Sequence, residues 1–210
     1  MVNVRRKQNN NLKRIRISTL SGRINPVIIL ATLLPVITIV FCACSPTPAS
    51  FEIFSSPTIH PGDPLPLPQE EIILEVSGDI STTNQGEKLV FDIKTLESLG
   101  LIQYSVMDPW FNAENLYTGV QLSVLLDIAG ISADATHLNF TAMDDYQISI
   151  PVEDAYKWPV LLATRVNGEY ISISDAGPTR IIYPYETFPE IDITTKRNLW
   201  IWNIKTLEIE

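Results

Sequence analysis

Prolines decide where this chain is able to fold. Seven of them, at positions 46, 48, 57, 61, 64, 66 and 68, fall between residues 45 and 69, interleaved with Ser and Thr. A residue that fixes φ and lacks an N–H cannot enter a helix interior or a central strand. Residues 44–69 therefore read as a semi-extended, Pro-rich tether. Folding is left to residues 70–210, enough chain for one domain with its own core.

Upstream, the first 25 residues hold seven basic side chains and no acid, and Pro26 to Ala43 is almost wholly apolar and uncharged. A basic region, an apolar run and a small residue at its end make an export signal. At about 18 residues the run also borders on the length of a membrane span. Its end, Phe41-Cys42-Ala43-Cys44-Ser45, resembles a bacterial lipoprotein signal, with small Ala43 before a cysteine that becomes the acylated N-terminus. The expectation is a signal peptide over residues 1–43 and lipidation at Cys44. The domain would then lie outside the cytoplasm as a membrane-anchored lipoprotein, and an uncleaved anchor would leave it on the same side.

Charge and counting exclude several function classes. All 24 acids but only eight of the 15 bases lie after residue 44, so the exported part carries a net charge of −16. A surface of that sign repels nucleic acid and anionic lipid, and neither is expected as a partner. Lys157, Arg165, Arg180, Lys196 and Arg197 are expected to form one local positive island. Cys42 and Cys44 both precede the domain, which leaves it no disulfide, no thiolate nucleophile and no thiolate metal ligand. His137 is its one histidine, and in the alternating Thr-His-Leu-Asn-Phe it reads as a strand residue. No catalytic residue and no metal ligand is expected.

Coarse patterning predicts strands over 71–78, 89–91, 101–106, 137–142, 146–151, 161–166, 169–173, 181–183 and 200–209. Helices are expected over 93–99, capped by Asp92 and closed by Gly100, and from Leu122 to a stop at Gly130. Asn167-Gly168 between apolar runs is a two-residue hairpin signal, and Tyr117 to Val120 reads as a turn. Many short strands with few helices give a β-rich, mixed α+β single domain. Within it, Gly177-Pro178 makes a tight turn that leads through Arg180 into an apolar strand. A guanidinium fork beside aromatic rings suits a flat polar ring system. It suits a buried carboxylate equally well.

Five stretches in this order resemble the molybdopterin-binding domain of the sulfite oxidase family, in its small exported form. They are Tyr117-Thr118-Gly119-Val120-x-Leu122-x-x-Leu125-Leu126-x-x-x-Gly130, Asp144/Asp145-Tyr146-x-Ile148-x-Ile150-Pro151, and Leu161-Leu162-Ala163-x-x-x-Asn167-Gly168. Gly177-Pro178-x-Arg180-x-Ile182-x-Pro184 and Trp202-Asn203-Ile204-Lys205-x-Leu207-Glu208-Ile209 complete them. The resemblance implies a mixed α+β fold holding a pterin or molybdopterin in a cleft. It implies cofactor contacts from Trp110, Tyr117, Gly177, Pro178, Arg180, Trp200 and Trp202. Trp200 and Trp202, alternating about Ile201, would share one face of a strand. Large family members bind molybdenum through a cysteine where this chain has Tyr104 to Trp110, a stretch that offers Ser105, Met107 and Asp108. A carboxylate would be a hard substitute for that sulfur.

Three functions stay open at this point. One is a membrane-tethered pterin-binding module, sensory or accessory, docking to an adjacent membrane protein. Another is a molybdopterin-dependent oxidoreductase with a ligand other than cysteine. The third is a ligand-free interaction module on the same scaffold.

Overall fold

A computed structural model of the protein describes residues 51–210. The expected signal peptide over 1–43, the lipidation at Cys44 and the first residues of the tether lie outside the described residues. Among the described residues, no helix is long and apolar enough to cross a membrane.

Two sheets carry the fold. Strands β1 (Glu52–Ser55), β4 (Leu101–Asp108), β5 (Ala113–Gln121), β8 (Leu161–Val166) and β10 (Arg180–Ile182) stand in that order in the first sheet, with β9 (Glu169–Tyr170) paired to β8. The second has the order β3 (Leu89–Phe91), β2 (Leu74–Gly78), β11 (Ile204–Ile209), β6 (His137–Ala142) and β7 (Gln147–Pro151). All pairs are antiparallel except β11 with β2, where Thr206 stands opposite Glu75. One core takes Leu74, Val76, Phe140 and Leu207 from one sheet and Val120, Leu162 and Ile181 from the other. Helix α2 (Leu122–Ala129) adds Leu122, Leu125, Leu126 and Ile128 to it, and ends on Gly130 at φ 61°, a left-handed conformation that glycine adopts without strain.

Local chemistry explains the elements that patterning found. Asn167 and Gly168, both at positive φ, turn β8 into β9. Asp92 accepts the Thr95 amide at 2.7 Å and starts α1 (Ile93–Glu97). Other expectations fail. Tyr117 to Val120 is the buried centre of β5 rather than a turn, because pairing with β4 on one side and β8 on the other overrides a weak local signal. Helices α3 (Val152–Lys157) and α4 (Ile193–Lys196) were not signalled. The closing strand starts at Ile204, so Trp200 and Trp202 lie in the segment before it, and Trp202 touches the sheet only through a bridge to Arg180.

The segment expected as a tether lies along the domain. Residues 52–55 contain no proline and form the edge strand β1, where only one side need pair. Further on, the Thr58 amide donates to Ser98 at 2.8 Å and Asn84 donates to the Pro66 carbonyl at 3.1 Å. The amides of Gln69 and Glu70 both donate to Asp92 Oδ2, at 2.7 and 3.0 Å. The prolines thus forbid a helix without preventing docking.

Asp92 is buried, yet its charge survives. Burial pushes its pKa up, but the hydrogen bonds from Thr95, Glu70 and Gln69 outweigh that and hold it at about 2. A depressed pKa contributes stability that is complete above the ordinary carboxylate value and is lost as pH falls through the folded one. Urea midpoints measured between about pH 5 and pH 2 should therefore show a loss on the order of 2 kcal/mol from this group. Asp92→Asn should remove that part of the pH dependence.

Candidate functional site

Asp108, at the end of β4, organises the region. Its Oδ1 accepts the amides of Trp110 at 2.8 Å and Phe111 at 3.1 Å, folding the β4–β5 connection back on itself. Its Oδ2 accepts the Tyr117 hydroxyl at 2.6 Å and Arg180 Nη2 at 2.8 Å. The carboxylate is fully buried and Arg180 is 3% exposed. Such a pair persists only when its hydrogen bonds are made, and here both carboxylate oxygens are used twice. Burial, reinforced by the hydrogen bond to Asp108, raises the Tyr117 pKa well beyond the ordinary phenol range and keeps that hydroxyl a donor. The Arg180 guanidinium lies 5.3 Å from the Tyr117 ring and 5.4 Å from that of Phe111. Its Nε is buried without a partner.

In front of this cluster stands an aromatic wall. Trp110 meets Trp202 edge to face, centroids 5.8 Å apart. Its indole N–H donates to the Arg197 carbonyl at 3.0 Å, and the Arg197 guanidinium sits 4.5 Å over its ring. Trp200 is 2% exposed and packs edge-on against Tyr117 and obliquely against Tyr185. Trp110, Trp200 and Trp202, with Ala142, Asp144, Tyr146, Asn198 and Ile201, line a cavity of about 330 Å³. Trp200 Nε1 is buried with no acceptor in the protein. A buried donor left without a partner costs roughly 1–3 kcal/mol.

The seven residues expected at a cofactor separate into three groups. Trp110, Trp200 and Trp202 line the cavity together. Tyr117 and Arg180 lie behind the wall, committed to Asp108, so Arg180 is spent on a carboxylate. Gly177 and Pro178 line no part of the cavity. Gly177 is buried against Ile171, its amide donates to Ser172 at 2.8 Å, and its carbonyl accepts from Asn203. A Cβ there would run into the Ile171 backbone. Gly177→Ala should therefore cost about 2–3 kcal/mol through backbone displacement, read as a lowered urea midpoint.

Of the expected positive island, Lys157 and Lys196 lie over the same Trp158 ring, while Arg180 is committed to Asp108. Arg165 makes a two-pronged bond to Glu97, Lys196 binds Asp154, and Lys157 lies over Trp158. Sequence reasoning passed over Tyr146 and Asn198 as cavity residues. The Asp144-Asp145 turn, with Asp145 at φ 65°, was the available sign that Tyr146 is turned outward.

A protein-held molybdenum does not fit the donors present. Within Tyr104–Trp110, Tyr104 donates to buried carbonyls, both Asp108 oxygens are engaged, and Ser105 and Met107 are exposed and line no part of this cavity. Among the described residues, no three His, Cys, Asp or Glu side chains converge. The cavity offers indole side chains, the kind of surface on which a flat ring stacks.

Residues 103–189 match the family model described as oxidoreductase molybdopterin binding domain. Among solved structures, the sulfane dehydrogenase SoxCD from Paracoccus pantotrophus is similar, with a TM-score of 0.50 and 20% identity over 65% of this chain. That match takes in 37% of the SoxCD chain, so the present protein spans little more than a third of it. At this identity the likeness is one of fold. No curated protein sequence matches the chain. Residues 103–189 thus resemble the oxidoreductase molybdopterin binding domain, and the two-sheet fold they help to build is shared with SoxCD.

Proposed function

We propose that the domain is a pterin-binding module held at the outer face of a membrane, sensory or accessory in role, without a metal-ligating residue of its own. The observation that carries this is the cavity walled by Trp110, Trp200 and Trp202. The family resemblance of residues 103–189 suggests the ligand class, since a molybdopterin is a pterin with a metal-binding side chain. The ring would bring flatness and a hydrogen-bonding edge. The protein would bring aromatic walls, a buried donor and exclusion of water. Asp108, the one acidic side chain of the stretch that supplies the metal ligand in large relatives, is satisfied within the fold. Membrane tethering rests on the basic and apolar leader ahead of Cys44.

Quenching of tryptophan emission on adding a pterin to the purified full chain tests this directly. Trp202, half-buried and lining the cavity, is the residue to remove. Trp202→Ala should weaken binding about tenfold, roughly 1.4 kcal/mol, and leave the urea midpoint close to wild type. No quenching in the wild type, together with no pterin in the mass spectrum of the purified protein, would end this reading. Stoichiometric molybdenum by metal analysis would favour the oxidoreductase instead.

A further inference from the structure

The strand that opens the described residues leaves an apolar groove beside it. Side chains alternate along β1, so Phe51, Ile53 and Ser55 face one way and Glu52 and Phe54 the other. Phe54 has a use, since the Arg165 guanidinium lies 5.6 Å from its ring. Phe51 and Ile53 have none: they are 40% and 68% exposed. With Pro57, Ile59, Leu101 and Val124 they line a cavity of about 340 Å³. Among the described residues, no Lys or Arg lines it. Its two ionisable groups are already engaged, His60 with Asp63 at 3.4 Å and Asp127 with the Tyr156 hydroxyl at 3.0 Å. An open apolar groove along a sheet edge is the kind of surface a monomer rarely leaves bare.

Chain length says what lies near it. Six residues, 45–50, separate Cys44 from Phe51. Even fully extended they reach about 20 Å, about half the thickness of a bilayer with its headgroups. Because β1 is paired into the first sheet, residues 51–69 add no further reach. An acylated residue 44 therefore keeps this face within 20 Å or so of the lipid surface. We infer that the Phe51–Ile53 face rests on the bilayer, its apolar side chains at the headgroup–acyl boundary, and seats the domain on the membrane. The net charge of −16 on the exported part and the lack of cations in the groove match it to zwitterionic lipid. This rests on the membrane-anchor reading given above.

The test is to replace Ile53 by the photoreactive p-benzoylphenylalanine in the full chain, express it in a lipoprotein-exporting bacterium and irradiate isolated membranes. Ile53 is exposed, so the variant should fold as wild type does, and far-UV circular dichroism of the purified variant checks it. Adducts whose added mass is that of a phospholipid are expected at residue 53 and absent from the same substitution at Glu169, on the polar β8–β9 hairpin. A protein adduct at residue 53, from a second copy or another chain, overturns the lipid assignment, as does no adduct from a chain that fractionates with membranes. A chain found wholly in the soluble fraction overturns the anchor itself, which separates the two failures.

Discussion

Asp108→Ala should unfold at a much lower urea concentration than wild type, with a loss of about 4 kcal/mol. The change strands the Arg180 guanidinium, which is 3% exposed, and the Tyr117 hydroxyl, and it frees the two amides that fold the β4–β5 connection. Removing one member of a buried ion pair costs about 3–5 kcal/mol because the other charge stays buried. Arg180→Met should cost slightly less, about 3 kcal/mol, since Asp108 keeps three hydrogen bonds. The double variant should be no worse than Asp108→Ala alone, as the stranded cation has gone with its partner. Unfolding curves with unchanged slope would report stability itself. An Asp108→Ala protein within about 1 kcal/mol of wild type would mean the cluster is not the keystone described here.

Trp200→Ala is the second large loss. The ring is almost wholly buried between Tyr117, Tyr185 and the cavity, and truncating such a residue costs about 3–5 kcal/mol. Trp200→Phe separates packing from recognition. It keeps most of the apolar volume and removes the unpartnered N–H. Its stability should lie within about 1.5 kcal/mol of wild type, or above it if nothing accepts from that donor. If a bound pterin accepts from the indole, its affinity should fall about tenfold. Calorimetric titration and thermal unfolding of the same preparation measure both. A Phe variant that binds pterin as tightly as wild type would remove the N–H from the recognition scheme.

Legibility followed the range of the interactions. Asn167-Gly168, Gly130 and Asp92 act within a few residues of themselves, and each could be read directly. Strand β5 could not: Tyr117-Thr118-Gly119-Val120 has turn-like composition, and becomes a strand only because β4 and β8 flank it. The tether was half legible. Proline forbids a helix, but whether such a segment docks depends on partners as far off as Ser98, Asn84 and Asp92. In the site, three tryptophans were expected and do converge. Arg180 had two readings, a ligand contact or a carboxylate partner. Its carboxylate, Asp108, lies 72 residues earlier in the chain, too far for any local pattern to connect them.

The place of β11 between β2 and β6 has a kinetic consequence. The two halves of the second sheet have no direct pairing with each other, and residues 204–209 are the slat that joins them. Closure therefore waits on a loop that encloses almost the whole domain, with Thr206 finding Glu75. Folding on a scale of milliseconds to seconds follows from such topology, and until the slat is in, β2 and β6 each present a bare edge to any passing strand.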